Sequence, residues 1–207
     1  MKLKRAPLAA CFLALALGGC ERATTGERIP IYDRPQVALV VVDVQKEFLE
    51  PGGRLSVAQN QVAPMLAATN PLVENARSLG VDLVYVRSES PAGGELDSRL
   101  LQPSGRVFRK DRADAFSNPE LDQFLRSHSV DHLVLAGVFA DASVYYTAEA
   151  AMNRGYKVKV VRDAVASTSD ARRDHALEAL QREGVELIDS EQELSEWVRR
   201  KKYLASR

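Results

Sequence analysis

Val37-Ala-Leu-Val-Val-Val42 carries no polar side chain in six consecutive positions, and four of the six are valine. A strand with one wet face alternates apolar and polar residues. An unbroken β-branched run must be covered on both faces, as in the middle of a parallel sheet. Related runs recur at Val81–Val86, His132–Ala136, Lys157–Val161 and Val185–Ile188. Between them, apolar residues fall at helical spacing. Val62, Met65, Leu66, Leu72, Val73 and Ala76 precede Gly80, with Pro71 expected to kink or divide that stretch. Leu121, Phe124 and Leu125 form a second stripe. Val144, Thr147, Ala148, Ala151 and Met152 lead to Gly155, and Ala176, Leu177 and Leu180 to Gly184. Strand and helix in alternation predict an α/β fold, a three-layer Rossmann-like sandwich around a mostly parallel central sheet. The charged segment from Ser190, with Leu194, Trp197, Val198 and Leu204, reads as a terminal surface helix.

Ligands of such sheets gather outside the carboxyl ends of the strands. Asp43 ends the first run, Arg87 and Ser88 follow the second, Phe139 to Ser143 follow the His132 strand, and Asp163 follows the next. These positions are the first candidates for chemistry.

Met1 to Cys20 has a different character. Lys2, Lys4 and Arg5 precede an uncharged run, Leu8 to Leu17, that ends in Gly18-Gly19-Cys20. The run is too short to cross a hydrocarbon core of roughly 30 Å as a helix. It suits the apolar centre of a secretory signal, and its end resembles the bacterial lipoprotein signal, in which the cysteine receives lipid. The segments expected are a signal peptide at 1–19, lipidated Cys20 and a polar tether at 20–34, a domain at 35–193 and a charged tail at 194–207. That arrangement anchors the protein in the cell envelope, facing the periplasm.

The precursor's 28 basic residues balance 28 acidic ones. Removing the signal leaves 25 against 28, so no basic stripe supports nucleic-acid binding. Cys11 and Cys20 are the only cysteines. The body of the chain therefore has no disulfide framework, no cysteine-based zinc site and no thiol nucleophile.

Three blocks in order carry a family resemblance. The first is Val42-Asp43-Val44-Gln45-Lys46-Glu47-Phe48 with Pro51-Gly52-Gly53-Arg54-Leu55. The second is Phe108-Arg109-Lys110 with Ala115-Phe116. The third is Gly137-Val138-Phe139-Ala140-Asp141-Ala142-Ser143-Val144, continuing through Thr147-Ala148 and Arg154-Gly155-Tyr156 to Asp163-Ala164. Over roughly residues 35 to 193 the chain resembles the isochorismatase-like hydrolases, the family of nicotinamidases, other cysteine amidohydrolases and isochorismatases.

The resemblance implies that family's fold and an Asp-Lys-Cys triad, with Asp43 and Lys110 on its first two positions and Ser143 where the cysteine stands. In amidase members the aspartate takes the thiol proton, the thiolate attacks an amide-type carbon, and the lysine helps hold the anionic centre. The oxyanion would rest on the backbone amides of Phe139 and Ser143, with a cis peptide bond between Val138 and Phe139. A thiol ionises at about 8.5, whereas a serine hydroxyl is far less acidic and an aspartate is a poor base for it. The isochorismatase branch cleaves a vinyl ether with the aspartate as general acid and needs no cysteine. Gly137-Val138-Phe139-Ala140 looks like that branch, but Asp141 follows the amidase pattern, and Val86-Arg87-Ser88-Glu89-Ser90 lacks the isochorismatase one.

The resemblance also makes Phe48, Arg87 and Phe139 substrate-binding candidates, and implies a homo-oligomer. Simpler roles stand beside these: a core phenylalanine at 48, a salt bridge for Arg87, a solvated charge run around Lys110, and a helix cap at Ser143. His128, His132 and His175 fall outside the positions of the nicotinamidase metal motif and are expected in structural or surface roles, so no metal or cofactor is expected. The expected partner is a small molecule, either the substrate of an atypical Asp-Lys-Ser hydrolase acting on a C–N amide-type or vinyl-ether bond, or the ligand of a catalytically inactive pseudoenzyme.

Overall fold

The computed structural model describes residues 36–206, apart from 53–54, 90–93 and 103. The signal segment, Cys20 and the tether lie outside the described residues, as do Gly53 and Arg54 of the Pro-Gly-Gly motif.

Six strands form one sheet: β1 Val37–Val42, β2 Asp82–Ser88, β3 Arg106–Lys110, β4 His132–Val138, β5 Lys157–Ala166 and β6 Glu186–Ile188. Their order is β3-β2-β1-β4-β5-β6 and every neighbouring pair is parallel. All six residues of β1 are buried, as its apolar run requires. The chain builds outward from β1 to β3 on one side and from β4 to β6 on the other. The reversal between β1 and β4 opens a crevice at their carboxyl ends, where ligands of such sheets bind.

Alternate residues of β1 feed two separate cores. Leu39 and Val41 pack with Val62, Met65, Leu72 and Val73 of helix α2 (Gln59–Ala76), while Ala38, Val40 and Val42 face the other side. There they meet α3 (Pro119–Ser127), α4 (Tyr145–Met152) and α5 (Asp170–Arg182) through Leu121, Leu125, Ala148, Ala151, Ala176 and Leu180. A short helix α1, Lys46–Leu49, follows β1 directly.

Of the two outcomes expected at Pro71, a kink or a division, division does not occur: α2 runs through it and also holds Pro64. Each proline frees the carbonyl four residues earlier; these belong to Ala67 and Asn60, which are exposed, as both prolines are. Water can therefore replace the lost bonds. Arg106–Lys110 is an edge strand rather than a solvated charge run, with Phe108 and Lys110 turned inward and Arg106, Val107 and Arg109 exposed. Finally, helix α6 (Ser190–Ala205) is not a surface appendage. Its Trp197 is 1% exposed and belongs to the α2-side core, so the helix closes that layer and continues across residue 194 without a break.

Candidate active site

Asp43 is the first residue beyond β1, and its amide still bonds to Val86 O at 2.8 Å, which extends the ladder to β2. Its φ of 51° lies in the left-handed region, which aspartate tolerates better than most residues. Two residues on, the amide side chain of Gln45 is fully buried and grips the backbone of Ser88. Gln45 Nε2 donates to Ser88 O at 3.2 Å, and Ser88 N donates to Gln45 Oε1 at 2.7 Å. The Asp-x-Gln spacing thus has a mechanical meaning: one side chain supplies a carboxylate and the other docks the end of β2 beside it.

Lys110 ends β3, where it is the register partner of Ser88. Its ammonium lies 2.8 Å from Asp43 Oδ2, with both side chains buried. Three further acceptors surround it: Ser88 Oγ at 2.9 Å, Arg112 O at 3.0 Å and Ser143 Oγ at 3.1 Å. Four acceptors share three N–H donors. Ser88 Oγ in turn donates to Asp43 Oδ1 at 3.0 Å. Asp43, Lys110 and Ser88 therefore form a closed triangle.

Ser143 comes from the other side of the crevice, on a π-helical turn, Ala140–Val144, that runs directly into α4. The Val138–Phe139 peptide bond is cis, as the resemblance implied. The Phe139 carbonyl accepts from the amides of Ala142 and Val144, which anchors the turn. Asp141 fastens it from outside, bonded to Ser167 Oγ and, at 2.7 Å, to Arg172 Nε. Burial works against the Asp141 carboxylate, but these hydrogen bonds and the guanidinium win and hold it below the ordinary aspartate value. Beneath the site, Gly137 pairs with Val42 at φ +119°, and a Cβ there would sit 2.0 Å from Val42 O. Only glycine lets β1 and β4 approach this closely at the crevice.

A model of the isochorismatase domain matches residues 37–192 of this chain. The chain belongs to the isochorismatase family. A streptothricin hydrolase from Streptomyces noursei is 31% identical over 144 residues; the match covers 65% of this chain and 56% of that protein, so the chain spans little more than half of its relative's length. Among solved structures, an isochorismatase-like hydrolase from Alkaliphilus metalliredigens aligns with a TM-score of 0.72 at 20% identity, over 78% of this chain and 99% of that one. A cysteine hydrolase from Pseudomonas syringae aligns with a TM-score of 0.71 at 22% identity, over 81% and 93%. At these identities the likeness is one of fold.

Among the candidates that the family blocks single out, the structure brings Asp43, Lys110 and Ser143 together. Phe48 and Phe139 meet edge to face with ring centroids 5.3 Å apart, Phe139 within the α2-side core and Phe48 packed against it. Arg87 points away from Ser88, as neighbours on a strand do, and donates to Gly94 O at 3.0 Å. Asp163 binds Ser190 at the start of α6. His128 and His132 pair with Asp82 and Asp131. Among the described residues no group of three or more His, Cys, Asp or Glu side chains is placed to hold a metal.

The family blocks do not select Ser88. Strand-end position flags it equally with Arg87, and only the in-register pairing of β2 with β3 separates the two.

Proposed function

We propose that this protein is a small-molecule hydrolase whose chemistry centres on Asp43 and Lys110. The observation that carries the reading is the buried Asp43–Lys110 pair, 2.8 Å apart, with two serine hydroxyls on the same ammonium. A charged pair taken out of water costs free energy unless its neighbours compensate. Here the compensation comes partly from two serine hydroxyls at the carboxyl ends of the strands, groups that a substrate can replace or use. Asp43 serves as the proton-transfer group and Lys110 as the fixed positive charge for negative charge that develops on the substrate. The amides of Phe139 and Ser143, at the start of a helical segment whose dipole favours anions, are the proposed oxyanion donors. Phe48 and Phe139 form the apolar wall for the substrate body, with Arg87 at the rim. The bond cleaved is of the C–N amide type or a vinyl ether, and the protein acts as a homo-oligomer.

The charged start, ten-residue apolar run and Gly-Gly-Cys end support a lipid on Cys20 that holds the domain at the cell envelope, facing the periplasm. Labelled palmitate incorporated by the parent and lost in Cys20→Ala is the expected result.

A second reading, a ligand-binding pseudoenzyme, is favoured by one detail. Ser143 Oγ, at the position of the family's cysteine, takes its hydrogen bond from Lys110, whereas the hydroxyl that donates to Asp43 belongs to Ser88. A screen against amides, ureido acids, nicotinamide and isochorismate separates the two. Turnover by the parent that disappears in Asp43→Ala is expected for an enzyme. A silent parent, with activity emerging only in Ser143→Cys, would leave the binding role.

A further inference from the structure

An activated hydroxyl nucleophile needs a base within reach of its proton, a third group that orients that base, and access to substrate. Ser143 meets these conditions poorly, because its recorded side-chain bond is one it accepts from Lys110 Nζ. Ser88 meets all three. Its Oγ donates to Asp43 Oδ1 at 3.0 Å, and Lys110, 2.8 Å from the other carboxylate oxygen, orients Asp43. The same ammonium lies 2.9 Å from Ser88 Oγ, where it would stabilise the alkoxide as the proton leaves. Asp43 and Lys110 are 1% and 3% exposed, while Ser88 is half-buried, the least enclosed member of the triangle. Gln45 clamps the Ser88 backbone on both sides, which holds the hydroxyl in register with its base.

We propose that Ser88 is the nucleophile of this site, and that Ser143 is a pocket hydroxyl at the position of the missing thiol. The inference rests on the hydrolase reading above and narrows it to acyl transfer, since vinyl-ether cleavage by acid needs no nucleophile. Ser88 Oγ attacks the acyl carbon while its proton passes to Asp43 Oδ1. The bond from that carbon to the leaving nitrogen or oxygen then breaks, and Asp43 returns the proton to the leaving group. Water releases the acyl group from Ser88 by the reverse use of Asp43. Lys110 carries charge throughout and transfers no proton. The ammonium beside Asp43 favours its ionised form and so weakens it further as a base; what offsets this is the same ammonium's 2.9 Å contact with Ser88 Oγ, which stabilises the developing alkoxide.

A fluorophosphonate probe tests this without knowledge of the substrate. Attack at phosphorus expels fluoride and leaves a stable ester on the serine that reacted. The full chain, solubilised in detergent, is treated with the probe, and the adduct is located by peptide mass mapping. The expected adduct is on Ser88, with labelling at least tenfold slower in Asp43→Asn and absent in Ser88→Ala. Should Ser88→Ala fail to fold, Ser88→Cys serves instead, and its new thiol is expected to be alkylated by iodoacetamide at least tenfold faster than in the urea-unfolded chain. An adduct on Ser143, or none on either serine, overturns the proposal. Turnover of a screened substrate together with either of those results would keep the hydrolase reading and remove Ser88. An adduct on Ser88 without turnover supports Ser88 and places the fault in the choice of substrates.

Discussion

Two lysines of the described residues meet carboxylates at sites with different surroundings: Lys110 is buried and Lys159 is half-buried. Lys110 faces Asp43 at the carboxyl end of the sheet and spreads its other bonds over two serine hydroxyls and a backbone carbonyl. Lys159, on β5, meets Glu193 at 3.1 Å, Glu196 at 2.5 Å and Glu186 at 3.5 Å. Trp197 Nε1 seals the remaining oxygen of Glu193 at 2.6 Å. Carboxylates from α6 and the indole of a core residue meet at the second cluster, so it fastens α6 to the sheet. The first draws on two serine hydroxyls at the carboxyl ends of the strands. Burial of an ion pair therefore does not mark a site by itself. What distinguishes the two is the kind of partner: three carboxylates meet Lys159, whereas a single carboxylate, two hydroxyls and a backbone carbonyl meet Lys110.

The comparison predicts opposite outcomes for disruption at the two places. Lys110→Met should have the largest effect. It leaves the Asp43 carboxylate buried without its cation, at a cost of about 3–5 kcal/mol in stability, and lowers turnover of any substrate found by about a thousandfold. Urea unfolding and steady-state kinetics on the same preparation check both, and a variant that keeps full activity would break the functional half of the comparison. Gly137→Ala should come next. A Cβ 2.0 Å from Val42 O forces β1 and β4 apart directly under Asp43, and a loss of about 3 kcal/mol or more is expected from backbone strain of this kind. A shift of less than about 1 kcal/mol in urea midpoint terms would show that the crevice can widen freely.

Trp197→Ala sharpens the other half. Truncating a fully buried indole should cost about 3–5 kcal/mol, yet turnover per folded molecule should stay within about twofold of the parent. Loss of activity beyond the loss of folded protein would mean that the two ends of the sheet are coupled. The smallest effect expected is a pH dependence. Burial pushes the Glu193 carboxyl above its ordinary value, against the pull of Lys159 and of the Trp197 N–H. The folded protein then holds that proton more tightly than the unfolded chain does. Glu193 therefore subtracts stability as pH rises from about 4.5, its unfolded value, through its raised folded value. Glu193→Gln should flatten that stretch of the stability profile, measured by urea unfolding between pH 4.5 and 7. An unchanged slope would remove Glu193 as its source.

Much of the architecture was legible because long parallel strands buried on both faces admit only apolar, β-branched residues. The β1 and β4 runs could be placed to within two residues, and with them Asp43 and Ser143 at their ends. Strand β3 was hidden because an edge strand of five residues needs only two inward side chains. One of those is Lys110, so Arg106-Val-Phe-Arg-Lys110 looks like a solvated charge run until its partner strand is known. Helix α6 misled for the converse reason. Its many charges form the outer face, and one buried tryptophan next to an internal ion pair carries the packing.

Sequence by itself determined the fold class, the family blocks and the end of the sheet at which the candidate residues lie, since each depends on local composition and order along the chain. Tertiary structure decided which serine reaches Asp43. Ser88 and Lys110 lie 22 residues apart in the sequence and become neighbours only through the register of β2 on β3. That register is set by cross-strand hydrogen bonds and by burial of alternate side chains, which place Ser88 on one face of β2 and Arg87 on the other.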